Sequence, residues 1–201
     1  MALVTRHWLA LLCLLGSTYF IAFPPYAPWP AIRSDGYGYH LWVKHILTGD
    51  LSFCSERSFT NRVYGVFANS ITPPSAEGRC AIIYPAGVAL AKVPFLVAGA
   101  NLEPGGEPTE YEQFVTILLP ILMLAGILAM LDNVLARNGI GPVARKASLA
   151  AITLGTGLYH YAVFDGEFSH IYSAFWVTVV LWAAVREPRL ARVLVSSARS
   201  C

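Results

Sequence analysis

The chain has 201 residues, 56% of them hydrophobic and only 13% charged, with a formal net charge of +2. A soluble domain carries nearer a quarter charged residues, so this composition argues against an ordinary soluble globule and for a membrane protein. The small net charge, with no basic cluster interleaved with aromatics, argues against nucleic acid as a partner.

Residues 8–23 are apolar apart from Ser17 and Thr18, with Arg6 and His7 ahead of them and Pro24 and Pro25 behind. No small-x-small cleavage site follows, so they read as an uncleaved first span with the N-terminus in the cytoplasm. Just beyond comes Ser34-Asp35-Gly36-Tyr37-Gly38-Tyr39-His40. An acid beside a hydrocarbon wall is costly to keep without a task. Ser34 or Asp35 as the cap of the next helix is the plainer reading, and the two are compatible. Over 36–48, Tyr39, Trp42, Val43, Ile46 and Leu47 form one helical stripe, with Lys44 and His45 off it and Gly49 placed to end the helix. A helix this short rises only about half a bilayer core, so it is expected to lie on the membrane surface, aromatic side down.

Residues 50–80 are polar, with Arg57 and Arg62 among them and Cys54 and Cys80 at their ends. In an oxidising compartment these cysteines would close a loop of about 25 residues, worth about 3 kcal/mol; the alternative is two unpaired thiols. The apolar stretch 81–100 carries Pro85, Lys92 and Pro94. Three further apolar runs, 114–135, 147–164 and 169–186, are followed or flanked by Arg137, Arg145, Lys146, Arg186, Arg189 and Arg192. If 81–100 does not cross, Arg6, the 137–146 loop and the basic tail share one side, as the positive-inside rule prefers. The expected fold is therefore all-α and polytopic: about four full spans, with a surface helix and an embedded or re-entrant helix in the outer loop 24–112.

This topology brings Asp35 and the second polar turn, Asp165, Glu167 and His170, to one outer face. Acid and imidazole groups at that depth suit cation binding, phosphate binding or proton transfer. Their plainer reading is two solvated turn acids and a helix-capping His170. Lys92 reads as a snorkelling lysine or as a partner for a lipid phosphate, and His160 as a hydrogen-bonded interior residue. No cysteine spacing suggests zinc.

Ser34-Asp35-Gly36-Tyr37-Gly38-Tyr39, Tyr84-Pro85-Ala86-Gly87 and Ser169-His170-Ile171-Tyr172-Ser173 resemble uncharacterised bacterial members of the GT-C glycosyltransferases, the superfamily of protein O-mannosyltransferases and the lipid A aminoarabinose transferase. The resemblance implies a multi-pass enzyme of the bacterial inner membrane. It would move a sugar from a polyprenyl-phosphate donor to a glycan, lipid or protein acceptor at the outer face. By the same resemblance Asp35 is the catalytic base and Tyr37 and Tyr39 line the acceptor groove. Glu167 and His170 then stand near the donor phosphate, and Arg57, Arg62 or Lys92 face it. A divalent cation is left open. The chain departs from the family in lacking a second acid beside Asp35 and in being much shorter, so it is expected to be the N-terminal portion of such an enzyme. A non-catalytic membrane scaffold or envelope-assembly subunit is the alternative; a small transporter fits less well, since no apolar span carries a central ionisable pair.

Overall fold

A computed structural model describes residues 31–57, 70–103 and 106–187. The first apolar run, 8–23, with its N-terminal orientation, and Arg62 lie outside the described residues. The described residues are predominantly helical, in the order α1 (Asp35–Thr48), α2 (Gly87–Leu96), α3 (Glu110–Arg137), α4 (Pro142–Gly155), α5 (Leu158–Val163) and α6 (Ser169–Arg186).

Local chemistry sets these boundaries. Gly49 ends α1 in the left-handed region with φ 72°. Thr109 and Glu112 form a reciprocal capping box that starts α3, satisfying amides that the helix itself leaves open. The helix then runs 28 residues to Arg137, and Pro142 opens α4 in its first turn. The run 147–164, read above as one span, is instead two helices broken at Thr156–Gly157. Thr156 takes an extended backbone there, and its hydroxyl accepts the Leu158 amide at 3.2 Å. Among the described residues α3 is the one helix both long and apolar enough to cross a membrane, with a mean hydropathy of 2.7 over its best window. At 10 residues α2 rises about 15 Å and is too short to do so.

Leu119, Met123, Leu124, Ile127 and Leu128 of α3 form the spine of the main core, packed on Leu149, Val163, Ile171 and Val88 from α4, α5, α6 and α2. A second cluster under the outer loop joins Ile32, Tyr37, Leu41, Phe53, Ile71 and Cys80. A third, Val43, Ala89, Leu96 and Val115, ties α1 and α2 to α3. Leu118 and Leu122 of α3 and Trp176, Val177, Val180 and Leu181 of α6 remain exposed.

α1 differs from the helix expected on the membrane surface. Its apolar stripe packs on protein, with Val43 fully buried and Trp42, Ile46 and Leu47 against the α2–α3 cluster. The opposite face is buried too. His40 pairs with Glu112 at 2.9 Å, Lys44 with Glu56 at 3.1 Å and with the Glu103 carbonyl, and His45 lies 3.9 Å from Glu56. Burial holds the His40 imidazole below its ordinary range, with the Glu112 bond opposing. These partners stand 11 to 72 positions away along the chain, so helical periodicity carried no sign of them.

Cys54 and Cys80 are joined by a disulfide, next to the buried Phe53. Replacing both with serine is expected to cost about 3 kcal/mol, from the freed conformational entropy of the unfolded loop. A chemical melt of the oxidised protein and the double variant measures it.

Candidate functional site

The acid-bearing stretch before α1 and the turn between α5 and α6 form one polar face. Arg33 donates from Nη2 to Asp165 Oδ1 at 2.6 Å and to the Phe164 carbonyl at 3.0 Å, and its Nε lies 3.8 Å from Glu167. Tyr39 and Ser169 hydroxyls stand 3.3 Å apart. The close approach depends on two glycines. A Cβ on Gly36 would fall 1.8 Å from Glu167 Cγ, and one on Gly38 would fall 2.1 Å from the Tyr84 ring. The glycines of the Asp-Gly-Tyr-Gly-Tyr stretch are therefore where a turn and a ring from distant chain segments press on α1.

Asp35 is half-buried in the first turn of α1, where the helix amides favour a carboxylate. Its Oδ1 accepts the Tyr84 hydroxyl at 2.7 Å. Burial, reinforced by that bond, raises the Tyr84 phenol to about 12, so it stays a donor across the physiological range. Trp42 Nε1 fixes the Tyr84 carbonyl at 2.6 Å, and the Tyr39 and Tyr84 rings meet edge to face at 4.9 Å. Just before Asp35, Ser34 has φ 50°, a strained conformation of the kind that clusters at working sites.

In the second turn, Asp165 is shared between Arg33 and His160, whose Nε2 lies 2.6 Å from Oδ2. Glu167 is 1% exposed. Burial pushes its carboxyl up to about 8, and the Arg33 guanidinium pulls the other way. At neutral pH this carboxyl is mostly protonated. Gly166 seats the turn: a Cβ there would lie 2.8 Å from Pro120 and 2.9 Å from the Thr116 carbonyl. Pro120 lacks the amide that would have bonded Thr116, so the turn packs on the one place where α3 has a gap in its ladder.

Beside this face, α2 and α6 enclose a groove of about 380 Å³ between Pro85, Gly87, Val88, Ser169, Tyr172 and Ser173. Its walls come from the Tyr-Pro-Ala-Gly and Ser-His-Ile-Tyr-Ser stretches.

The residues singled out in the sequence fall into three groups. Asp35, Tyr39, Glu167 and Ser169 are gathered here. His170 is exposed and lies against Tyr161, ring centroids 4.1 Å apart, without capping α6. Two assignments are corrected. Tyr37 is 1% exposed inside the Ile32–Leu41–Phe53 cluster and is not among the residues that line the α2–α6 groove. Lys92 neither snorkels nor faces a phosphate: it is fully buried and donates to Thr116 Oγ1 at 3.2 Å. Arg57 sits half-buried in the outer loop. Glu167 is no solvated turn acid. His160, read as interior, is the more exposed partner of its pair, with a side chain 57% accessible. Arg33 was missed, although it directly precedes the Ser34-Asp35 stretch. Among the described residues no three His, Cys, Asp or Glu side chains gather as a metal-ligand set.

Comparisons with protein-family models, curated proteins and solved structures find no match.

Proposed function

We propose that the chain is a membrane glycosyltransferase of the GT-C kind, or a portion of one, moving a sugar from a polyprenyl-phosphate donor to an envelope acceptor at the outer face of a bacterial inner membrane. The reading takes 8–23, 114–135 and 169–186 as spans, 147–164 as a span broken at Thr156–Gly157, α2 as an embedded helix and the N-terminus as cytoplasmic. The observation that carries it is a half-buried carboxylate, Asp35, held by Tyr84 between Arg33 and Gly36, the two residues that meet the second polar turn.

In the proposed reaction Asp35 takes the proton of the acceptor hydroxyl. The hydroxyl oxygen bonds to the sugar's anomeric carbon as the bond from that carbon to the phosphate oxygen breaks, and the phosphate leaves with the electron pair. General-base help of this sort is worth about 10²–10⁴ in rate. Seating both substrates in one cleft supplies proximity. Asp35→Asn keeps the size and can still accept the Tyr84 hydroxyl. In the full protein it should lower sugar transfer at least about 100-fold with membrane insertion unchanged.

The Asp35–Tyr84 bond also suits a purely structural acid, which would make the chain a non-catalytic scaffold of an envelope assembly. Under that reading Asp35→Asn changes neither transfer nor insertion, and Tyr84→Phe loosens the outer loop alone.

A further inference from the structure

The start of α3 holds the α1 region at two points. Gln113 Oε1 accepts the Ile32 amide at 2.7 Å, and Glu112 meets His40 at 2.9 Å. Glu112 has both oxygens committed, Oε1 to His40 Nε2 and Oε2 to the Thr109 amide at 2.7 Å. A neutral imidazole completes this arrangement by donating from Nε2 to the carboxylate. α1 also carries the acid-centred site, with Asp35 in its first turn and Tyr84 tied to it through Asp35 and Trp42. Gly36 is where the second polar turn touches it.

The other ring nitrogen, Nδ1, is enclosed and has no hydrogen-bond partner in the protein. The cavity that His40 lines with Tyr37, Lys44, Asn101 and Glu112 has room for about one water. A second proton on the ring would make Nδ1 a buried donor, and a buried donor without an acceptor is unfavourable. It would also add charge where the charges already balance. His40 faces Glu112 from α3, Lys92 from α2 and Lys44 on its own helix. Lys44 is matched by Glu56 from the outer loop at 3.1 Å. Two carboxylates therefore stand against two ammonium groups before His40 charges. Burial, with Lys92 and Lys44, outweighs Glu112 and favours the neutral ring.

We propose that His40 is an acid-operated latch: protonating it loosens α1 from the start of α3 and so moves the Asp35–Tyr84 pair relative to the second polar turn. While α1 is closed the ring takes its second proton only below the ordinary histidine value of 6.5. Once α1 opens and water reaches the ring, it takes that proton near the ordinary value. Closure is therefore fully favoured above about pH 6.5 and weakens as pH falls. The sign is opposite to that of Glu167, whose buried carboxyl favours the folded state in acid. The latch stands on the packing of α1 and does not rest on the transferase reading.

Hydrogen exchange of the full-length protein in nanodiscs tests this, with rates corrected for the intrinsic effect of pH. Between pH 7.5 and 5.0 the protection of the α1 amides should fall at least about tenfold, the factor carried by one unit of pKa difference. His40→Gln keeps a donor towards Glu112 and never charges, so its α1 protection should fall less than about threefold over the same range. Protection in α6 should be the same in both proteins at each pH. In the parent alone, nitrogen NMR of the His40 ring, assigned through its α1 backbone, should show it still neutral at pH 6, where a free ring is mostly charged. That measurement decides the matter even where His40→Gln does not fold. Equal loss of α1 protection in parent and variant, no loss in the parent, or a His40 ring mostly charged at pH 6 in the folded protein each overturns the latch. Loss spread evenly over α1, α3 and α6 does so too, since the whole fold would then be opening.

Discussion

Alanine at position 36 is expected to break the outer face of the protein. The added methyl would sit 1.8 Å from Glu167 Cγ and 2.4 Å from its Cβ, far inside van der Waals contact. Neither side can give way easily. Gly36 is buried in the first turn of α1, and the Glu167 turn is pinned on its far side where Gly166 meets Pro120 and Thr116. Overpacking a closed site costs about 1–3 kcal/mol and sometimes more; pinned on both sides, Gly36→Ala should reach the top of that range. Gly38→Ala should act similarly through the Tyr84 ring, at 2.1 Å. The diagnostic is the cycle with Glu167→Gly, which removes both the Cγ and the Cβ that the methyl would strike. Removing that side chain opens the space the methyl needs, so the double variant should be more stable than the sum of the single losses by at least about 1 kcal/mol. Melts of the four proteins in one detergent measure it. Additive losses would mean that α1 and the 165–168 turn do not touch.

The second large effect is a pH dependence centred on Glu167. Its folded carboxyl titrates near 8 against an ordinary value of 4.5, because burial penalises the charged form more than Arg33 favours it. Between those two values the folded state holds a proton that the unfolded state has released. Stability is therefore fully present below about pH 4.5 and is lost as pH rises towards 8, with a slope near 1.4 kcal/mol per pH unit, beyond which the loss is complete. Glu167→Gln is always neutral and should remove this slope. Other titrating groups act in both proteins, so the difference between their stability–pH curves isolates Glu167. A parent curve that rises over pH 5–8 relative to Glu167→Gln would contradict the burial argument.

The elements that could be read from the sequence are those whose cause is local. The 114–131 run marked α3 because it is long and uncharged, and Gly49 marked the end of α1 because only a left-handed residue stops a helix that way. Charge asymmetry brought Asp35 and the 165–170 turn to one face without any contact being visible. What escaped were features decided by partners far along the chain. The stripe on α1 suggested one wet face, yet Glu56, Glu112 and the Glu103 carbonyl turn that face inward. Lys92 in an apolar helix suggested snorkelling until Thr116 supplied a buried partner. The break at Thr156–Gly157 was missed because Gly155-Thr156-Gly157 is too short an interruption to divide an otherwise apolar run. Arg33 and Tyr84, which hold the two halves of the polar face, lie just outside or far from the acid they serve.

The most direct test of the account is whether Arg33 and Asp165 stand together in the membrane-inserted protein. Cysteines at 33 and 165, in a background with Cys13 and Cys201 replaced by serine and the Cys54–Cys80 bond retained, can be treated with a short bifunctional thiol reagent in intact membranes. The account predicts efficient intramolecular cross-linking of the 33/165 pair. Cysteines that each react singly with a thiol reagent yet never cross-link would separate the two polar stretches, and the site built on them would not exist.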